Sequence, residues 1–330
     1  MSGWQGAWHL GEQAMASNIE AALAPSTANQ YRRVWRKYLD FCDSTGGAKR
    51  CSRTVCVFLS YLAETSAGMG GVEGARAALR HHFTVEEPKA TCPTEDKEVG
   101  LVLKGLRRRF QSPVTKKSPL AKEDFYKILL AATKPNERGV VRLCQLRLAA
   151  QVALMFLSFA RYEESADLKV EQVSREGDNI VILFKKGKNY QHGEARMSVI
   201  TSEKDAVVNP VNIICQYLDR LKGVTGNSKG FLFPALRSTC KGDSSLDKPA
   251  SYSAVLSQFK SIIKEAGVAS DPSVFGLHSM RRGGVTAAVN GGADEHFVQK
   301  QMRVASGSTV RRYATVSQAN LCSVAKAVLL

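Results

Sequence analysis

Four residues of this sequence, Arg161, His278, Arg281 and Tyr313, are of the types that phosphoryl transfer uses. Displacement at a DNA phosphodiester needs a nucleophile, cationic donors for the extra charge on the phosphorane, and an acid for the leaving 5′-oxygen. Arginine suits the clamp when no metal is used, because its planar fork binds two phosphate oxygens and stays protonated. In G-L-H-S-M-R-R-G-G, His278 and Arg281 stand three apart at an expected helix start. That spacing puts them on one face, beside the positive end of the helix dipole. Gly283 and Gly284 permit close backbone approach. In R-R-Y, Tyr313 follows Arg311 and Arg312, thirty-two residues after Arg281. In F-A-R-Y-E-E-S-A-D-L, Arg161 lies just past an apolar helix with Glu164 one turn on. An arginine there costs several kcal/mol unless a partner such as Glu164 or a bound phosphate satisfies it.

The elements that must position these residues are mostly helical. Residues 1–24 read as an arm or one loose helix. From Pro25, Tyr31, Val34, Trp35, Tyr38 and Phe41 form an apolar helical face, with Arg32, Arg33, Arg36 and Lys37 on the other. Further helices are expected around 55–62, 72–83 and 98–110, the last ending in Arg107, Arg108 and Arg109. These recurring basic faces point to contact with a nucleic-acid backbone, and the helix bearing Arg76 and Arg80 is a candidate for a groove. Q-S-P-V-T-K-K-S-P reads as a linker whose Lys116 and Lys117 suit a strap along phosphates. The expected division is an arm (1–24), a helical unit (25–111), a linker (112–118) and a second unit (119–330). In that unit, helices are expected over 121–133, 139–159, 210–221, 252–266, 279–290, 296–302 and 317–330. β-type runs at 180–184 and 197–200 form one hairpin through the polar segment 185–196. The fold class is therefore mainly α with a small β-hairpin.

Composition agrees with a polyanion partner. Net charge is +16, with Lys and Arg spread through both halves rather than gathered in a tail. No apolar run approaches the ~20 residues of a membrane span. The N-terminus, with Trp4, His9 and Glu12, lacks the apolar core of a signal peptide, so an intracellular protein is expected. Eight scattered cysteines without a C-x-x-C read as reduced thiols, and no metal site is expected.

The ordered set of an arginine, a hairpin lysine, H-x-x-R and a tyrosine resembles the tyrosine recombinase (phage integrase) family from Pro25 onward. K-G-K-N-Y-Q-H-G resembles the hairpin signature of that family's eukaryotic mobile elements. K-S-P-L-A-K-E-D-F is similar to the start of its catalytic domain, and F-L-F-P to a loop before the H-x-x-R helix. The resemblance implies a two-domain DNA clamp, a helical core-binding domain followed by an α+β catalytic domain. It also implies recombination of double-stranded DNA through a 3′-phosphotyrosine, by tetramers, in the nucleus if the source is eukaryotic. Arg161 and Arg281 would then clamp the scissile phosphate, and His278 would share the tyrosine proton. Lys188, or Lys186 in the alternate register, would protonate the leaving oxygen. Glu164 would orient the cations and Tyr313 would attack. The phosphotyrosine keeps the bond energy, so no cofactor is needed. One position departs from the pattern: Val304, nine residues before Tyr313, stands where a His or Trp donor is usual. Such a loss costs about 10²- to 10³-fold in rate, with Arg303 and Ser306 the nearby donors. Two alternatives remain, a DNA-binding protein of this fold without strand cleavage and a relaxing enzyme like the type IB topoisomerases. The C-terminal segment, with Leu321, Val324, Ala327 and Val328, would pack on its own domain or on a neighbouring protomer.

Overall fold

The computed structural model describes residues 3–65, 68–110, 117–185, 195–201, 208–226, 230–239 and 242–314. The chain divides into two compact units, Met1–Thr115 and Lys116–Leu330.

The first unit is helical: α1 (Gly3–Ala21), α2 (Pro25–Thr45), α3 (Ser52–Glu64), α4 (Gly68–Glu86) and α5 (Lys97–Phe110). Pro25 opens α2, where its fixed φ matches the helix and its missing N–H leaves nothing unsatisfied. Gly46 closes α2 in the left-handed conformation at φ 68°. The apolar stripes of α2 to α5 meet in one core that includes Tyr38, Phe58, Leu59, Val72, Leu79, Phe83 and Leu103. Within it the Tyr38 ring stands edge-on to Phe58 and Phe83, and its hydroxyl donates to the Lys49 carbonyl at 2.9 Å.

The second unit contains α6 (Lys122–Ala132), α7 (Leu143–Leu157), α8 (Tyr162–Ala166), β1 (Val173–Glu176), β2 (Asn179–Phe184) and β3 (Arg196–Thr201). Then come α9 (Pro210–Thr225), β4 (Pro234–Thr239), β5 (Gly242–Pro249), α10 (Tyr252–Glu265), α11 (His278–Asn290), α12 (Glu295–Met302) and α13 (Gly307–Tyr313). Helix α7 is mostly apolar and buried along nearly its whole length, as a central helix must be, and its buried Arg147 and Gln151 are hydrogen-bonded. It is shorter than the expected 139–159. Gly139 turns left-handed at φ 72°, and the Asn136 side chain accepts from the Arg138 and Val140 N–H groups, which holds a turn there.

The hairpin is part of a larger sheet than the sequence suggests. β1 pairs antiparallel with β2, and β2 with β3, in register Phe184↔Arg196. A second antiparallel pair, β4–β5, occupies a polar stretch with no alternating apolar pattern. On the β3 edge, the Gln301 side-chain amide donates to the Val199 carbonyl at 2.8 Å and accepts from its N–H at 3.4 Å. The expected C-terminal helix at 317–330 lies outside the described residues. Among the described residues no helix is long and apolar enough to cross a membrane, and no group of three or more His, Cys, Asp and Glu could hold a metal ion.

Candidate active site

Four segments of the second unit bring the chemistry-bearing residues together: the α7–α8 junction, the start of α11, the turn after α12 and the end of α13. Helix α11 comes close because of its two glycines. A Cβ on Gly283 would lie 2.0 Å from the Leu120 carbonyl oxygen, and one on Gly284 2.0 Å from that of Phe156. Main chain thus touches main chain, and the Leu120 N–H donates to the Ser279 carbonyl at 3.0 Å. The close approach carries the Arg281 side chain into the interior, where it is fully buried.

Arg281 donates through Nη1 to the Phe159 carbonyl and through Nη2 to the Met302 carbonyl, the latter at 3.1 Å. Its guanidinium carbon lies 5.1 Å from the centre of the Tyr313 ring, within cation–π range. Burial, and then the neighbouring Arg161 charge, push its pKa down to about 10, which still leaves it charged at neutral pH. Phe159 adopts φ 53°, a left-handed conformation that costs a bulky residue on the order of 1–2 kcal/mol.

Arg161 is the N-cap of α8. Its Nη1 donates to Glu164 Oε1 at 2.8 Å, and its backbone N–H donates to Glu164 Oε2 at 2.9 Å. No other hydrogen bond of the Arg161 guanidinium is formed among the described residues, so Nη2 and Nε are available to an anion. Glu164 is buried among three guanidiniums, with Arg161 at 2.8 Å, Arg303 at 3.0 Å and Arg281 at 3.7 Å. Burial alone would raise the carboxyl pKa. Arg303, the Arg161 N–H, Arg281 and the Arg161 guanidinium together outweigh that and hold it below its ordinary value.

His278 begins α11, and its Nε2 lies 3.0 Å from the Tyr313 hydroxyl oxygen. Partial desolvation, followed by the charges of Arg281, Arg161 and Arg282, lowers its pKa and favours neutral imidazole. A neutral ring with one unprotonated nitrogen can accept the phenolic proton. Tyr313 is the last residue of α13, half-buried, with its ring against the guanidinium of Arg281 and its hydroxyl on His278.

Val304 is not at the surface of the site. It is buried with Phe159, Val285, Val298, Met302 and Val310, and Tyr313 packs against this cluster. Of the two nearby donors, Ser306 caps α13 and is exposed, while Arg303 turns inward and is 1% exposed. Sequence reasoning gave Arg303 too small a part. A left-handed arginine (φ 58°) is not signalled by residue type, and its partner Glu164 is 139 residues away. Lys186 and Lys188 lie outside the described residues; the strands that lead toward them, β2 and β3, pair up to Phe184↔Arg196.

The basic residues of the first unit fall into two groups. Arg32, Arg33, Arg36 and Lys37 on α2 are exposed. The three arginines form no ion pair among the described residues, and Lys37 lies 6.0 Å from the Tyr61 ring centre. By contrast, Arg76 and Arg80 pair with Glu95, Arg107 with Glu73, and Arg109 with Glu64. Arg108 is exposed in the last turn of α5, where three arginines also complement the helix dipole. In the second unit Lys117 donates to the Ser273 carbonyl at 2.6 Å. Lys116 lies outside the described residues.

Guanidiniums, an imidazole and a phenol converge on one point of a mainly helical scaffold with small sheets. Residues 114–320 match the model of the phage integrase family, and the chain belongs to that family, the tyrosine recombinases. It is 24% identical over 305 residues to an integrase/recombinase XerD homolog of Selenomonas ruminantium, covering 92% of this chain and 84% of the relative. Among solved structures it is similar to the XerH site-specific recombinase bound to a palindromic difH substrate, with TM-score 0.62 and 20% identity, over 90% of this chain and 78% of that one. It is also similar to the Tn1549 transposon integrase in complex with transposon right-end DNA, with TM-score 0.63 and 12% identity, over 95% and 99% of the two chains. These structures share its fold.

Proposed function

We propose that this protein is a site-specific DNA recombinase that cleaves and rejoins strands through a 3′-phosphotyrosine at Tyr313. The observation that carries this is the 3.0 Å contact between His278 Nε2 and the Tyr313 hydroxyl, beside two arginines. Neutral His278 takes the phenolic proton as Tyr313 Oη attacks phosphorus, and the bond to the 5′-oxygen breaks. Arg161, with free N–H groups, and Arg281 take the charge that develops on the non-bridging oxygens. Lys188, or Lys186, delivers the proton to the leaving 5′-oxygen. Attack by a 5′-hydroxyl on the phosphotyrosine reverses the step, so no cofactor is consumed.

The first unit is the core-binding domain in this reading, with Arg32, Arg33 and Arg36 the leading phosphate contacts because they are exposed and form no ion pair among the described residues. Arg76, Arg80, Arg107, Arg108, Arg109, Lys116, Lys117 and Lys37 add to the basic surface. The substrate class is double-stranded DNA, as it is for the XerH and Tn1549 structures, and the working assembly is a tetramer on DNA. The K-G-K-N-Y-Q-H-G segment supports a eukaryotic mobile-element origin, and with it a nuclear and in any case intracellular site of action. The named Selenomonas relative is bacterial and does not favour that branch.

The test is a nicked suicide duplex that traps the covalent intermediate, read as a protein–DNA adduct on a denaturing gel. Adduct with the wild type and none with Tyr313→Phe is expected. Adduct that survives Tyr313→Phe, or none on any cognate site, sinks the mechanism. The burial of Val304 favours a second reading, a DNA-binding protein of the same fold without cleavage. Binding without adduct would select it.

A further inference from the structure

We propose that Arg303 is a positioning residue for strand cleavage: by gripping the buried Glu164 carboxylate it sets where Arg161 and Arg281 meet the phosphate. The inference rests on the recombinase reading above. Glu164 Oε2 is a junction, accepting from Arg303 Nη2 at 3.0 Å and from the Arg161 N–H at 2.9 Å, with Arg281 Nη1 at 3.7 Å. The other end of the Arg303 fork donates to the Ser158 carbonyl at 3.0 Å and the Gln301 carbonyl at 2.7 Å. Its guanidinium carbon lies 3.8 Å from the centre of the Phe184 ring, the last residue of β2. One side chain therefore ties four things together: the carboxylate that orients the phosphate-facing cations, the end of α7, the strand leading to the lysine hairpin, and the backbone leading to Tyr313.

The backbone shows what this arrangement requires. Arg303 closes α12 at φ 58°, a conformation that glycine adopts freely and arginine does not. It also buries a charge, and its Nε has no hydrogen-bond partner among the described residues. Glycine would avoid the strain and a leucine would avoid the buried charge; neither could hold Glu164. Among the described residues, the charged groups facing Glu164 are Arg161 from α8, Arg281 from α11 and Arg303 from the turn after α12. Arg281 meets the Tyr313 ring and Arg161 keeps open N–H groups, whereas Arg303 is enclosed and does neither. It acts through the others.

Three full-length variants test this on the suicide duplex under single-turnover conditions from about pH 5 to pH 9. Arg303→Gly suits the left-handed backbone and removes only the side chain, Arg303→Lys keeps the charge, and Arg303→Gly/Glu164→Gln removes the carboxylate as well. With Arg303→Gly, the adduct rate near neutral pH is expected to fall about 10²-fold, the scale of a misplaced reacting group. Its acid limb should move to higher pH, since burial then acts on Glu164 against two cations rather than three. Arg303→Lys should recover the wild-type limb and part of the rate, and the double variant should lose the shifted limb while keeping the one from His278. Melting temperature followed against pH provides a readout independent of cleavage: with the Glu164 pKa moved up toward its unfolded value, Arg303→Gly should lose less stability than the wild type as pH falls through the carboxylate range. A wild-type rate in Arg303→Gly overturns the proposal. So does a slow Arg303→Gly with an unmoved pH profile that Arg303→Lys does not improve, because that pattern means packing alone. If the wild type forms no adduct, the recombinase reading fails, and an unmoved stability profile would then reject the Arg303–Glu164 coupling separately.

Discussion

His278 and Tyr313 are joined across 35 residues of sequence by one contact, Nε2 to hydroxyl oxygen at 3.0 Å, with the rings tilted and their centres 5.2 Å apart. The imidazole is held toward its neutral form by partial desolvation and by Arg281, Arg161 and Arg282. Two consequences follow for pH. Cleavage should fall as acid protonates His278, with a midpoint below the ordinary value of about 6.5. Stability has the same sign. With the folded pKa depressed, the contribution is present above about pH 6.5 and is lost as pH falls through the folded value. Adduct rate against pH, and melting temperature of wild type against His278→Gln over the same range, measure both. A cleavage midpoint above 6.5 would contradict the geometry.

Gly284 and Gly283 support the site from beneath. Gly284→Ala puts a methyl group 2.0 Å from a main-chain oxygen of α7, which cannot swing aside as a side chain can. A loss of about 3 kcal/mol is expected, at the upper end of overpacking costs. Gly223 in α9 is the control, since a Cβ there meets nothing within 4 Å. Gly223→Ala should stabilise by about 0.5–1 kcal/mol, the usual gain from removing a helical glycine. Urea unfolding of both variants decides it.

Restoring a hydrogen-bond donor at Val304 should not restore rate. The position lies in an apolar cluster with Phe159, Met302 and Val310. A histidine there is too large and would be buried without a partner. Val304→His is expected to lose about 1–3 kcal/mol and to form adduct no faster than the wild type. Thermal melts together with single-turnover cleavage test the pair of statements, and a faster adduct would show that the side chain reaches the phosphate.

The α2 arginines should dominate the salt dependence of DNA binding. Arg32, Arg33 and Arg36 have no acidic partner among the described residues, whereas Arg107 and Arg109 are each held by a glutamate. Replacing the three with alanine should flatten the slope of log affinity against log salt by about 0.9 for each phosphate no longer neutralised. Replacing Arg107 and Arg109 should do less. Fluorescence anisotropy over a salt series gives both slopes.

What could be read from the sequence was local. His278 and Arg281 share a face because the helix period sets it, and Glu164 follows Arg161 by one turn for the same reason. The two glycines announced a close approach, though not that its partners were Leu120 and Phe156. The rest depended on distant pairing. β1 and the β4–β5 pair are short or polar stretches that become strands by hydrogen bonding to a neighbour rather than by their own pattern. Arg303 looked like one more cation near the tyrosine. Its inward course comes from a left-handed turn and a carboxylate on another element, and neither has a sequence signal. Arg76, Arg80 and Arg107 read as open basic faces, because the glutamates that pair with them sit on other turns.

The amide of Gln301 against Val199 has a consequence of another kind. With donor and acceptor both turned to one residue of β3, the side chain imitates a rung of a β-ladder on an edge that no further strand pairs among the described residues. An unpaired edge is a template on which a stray strand can nucleate. At this rung the template is already occupied, by a residue of the helix that leads into Arg303. Here a single glutamine covers that rung at Val199.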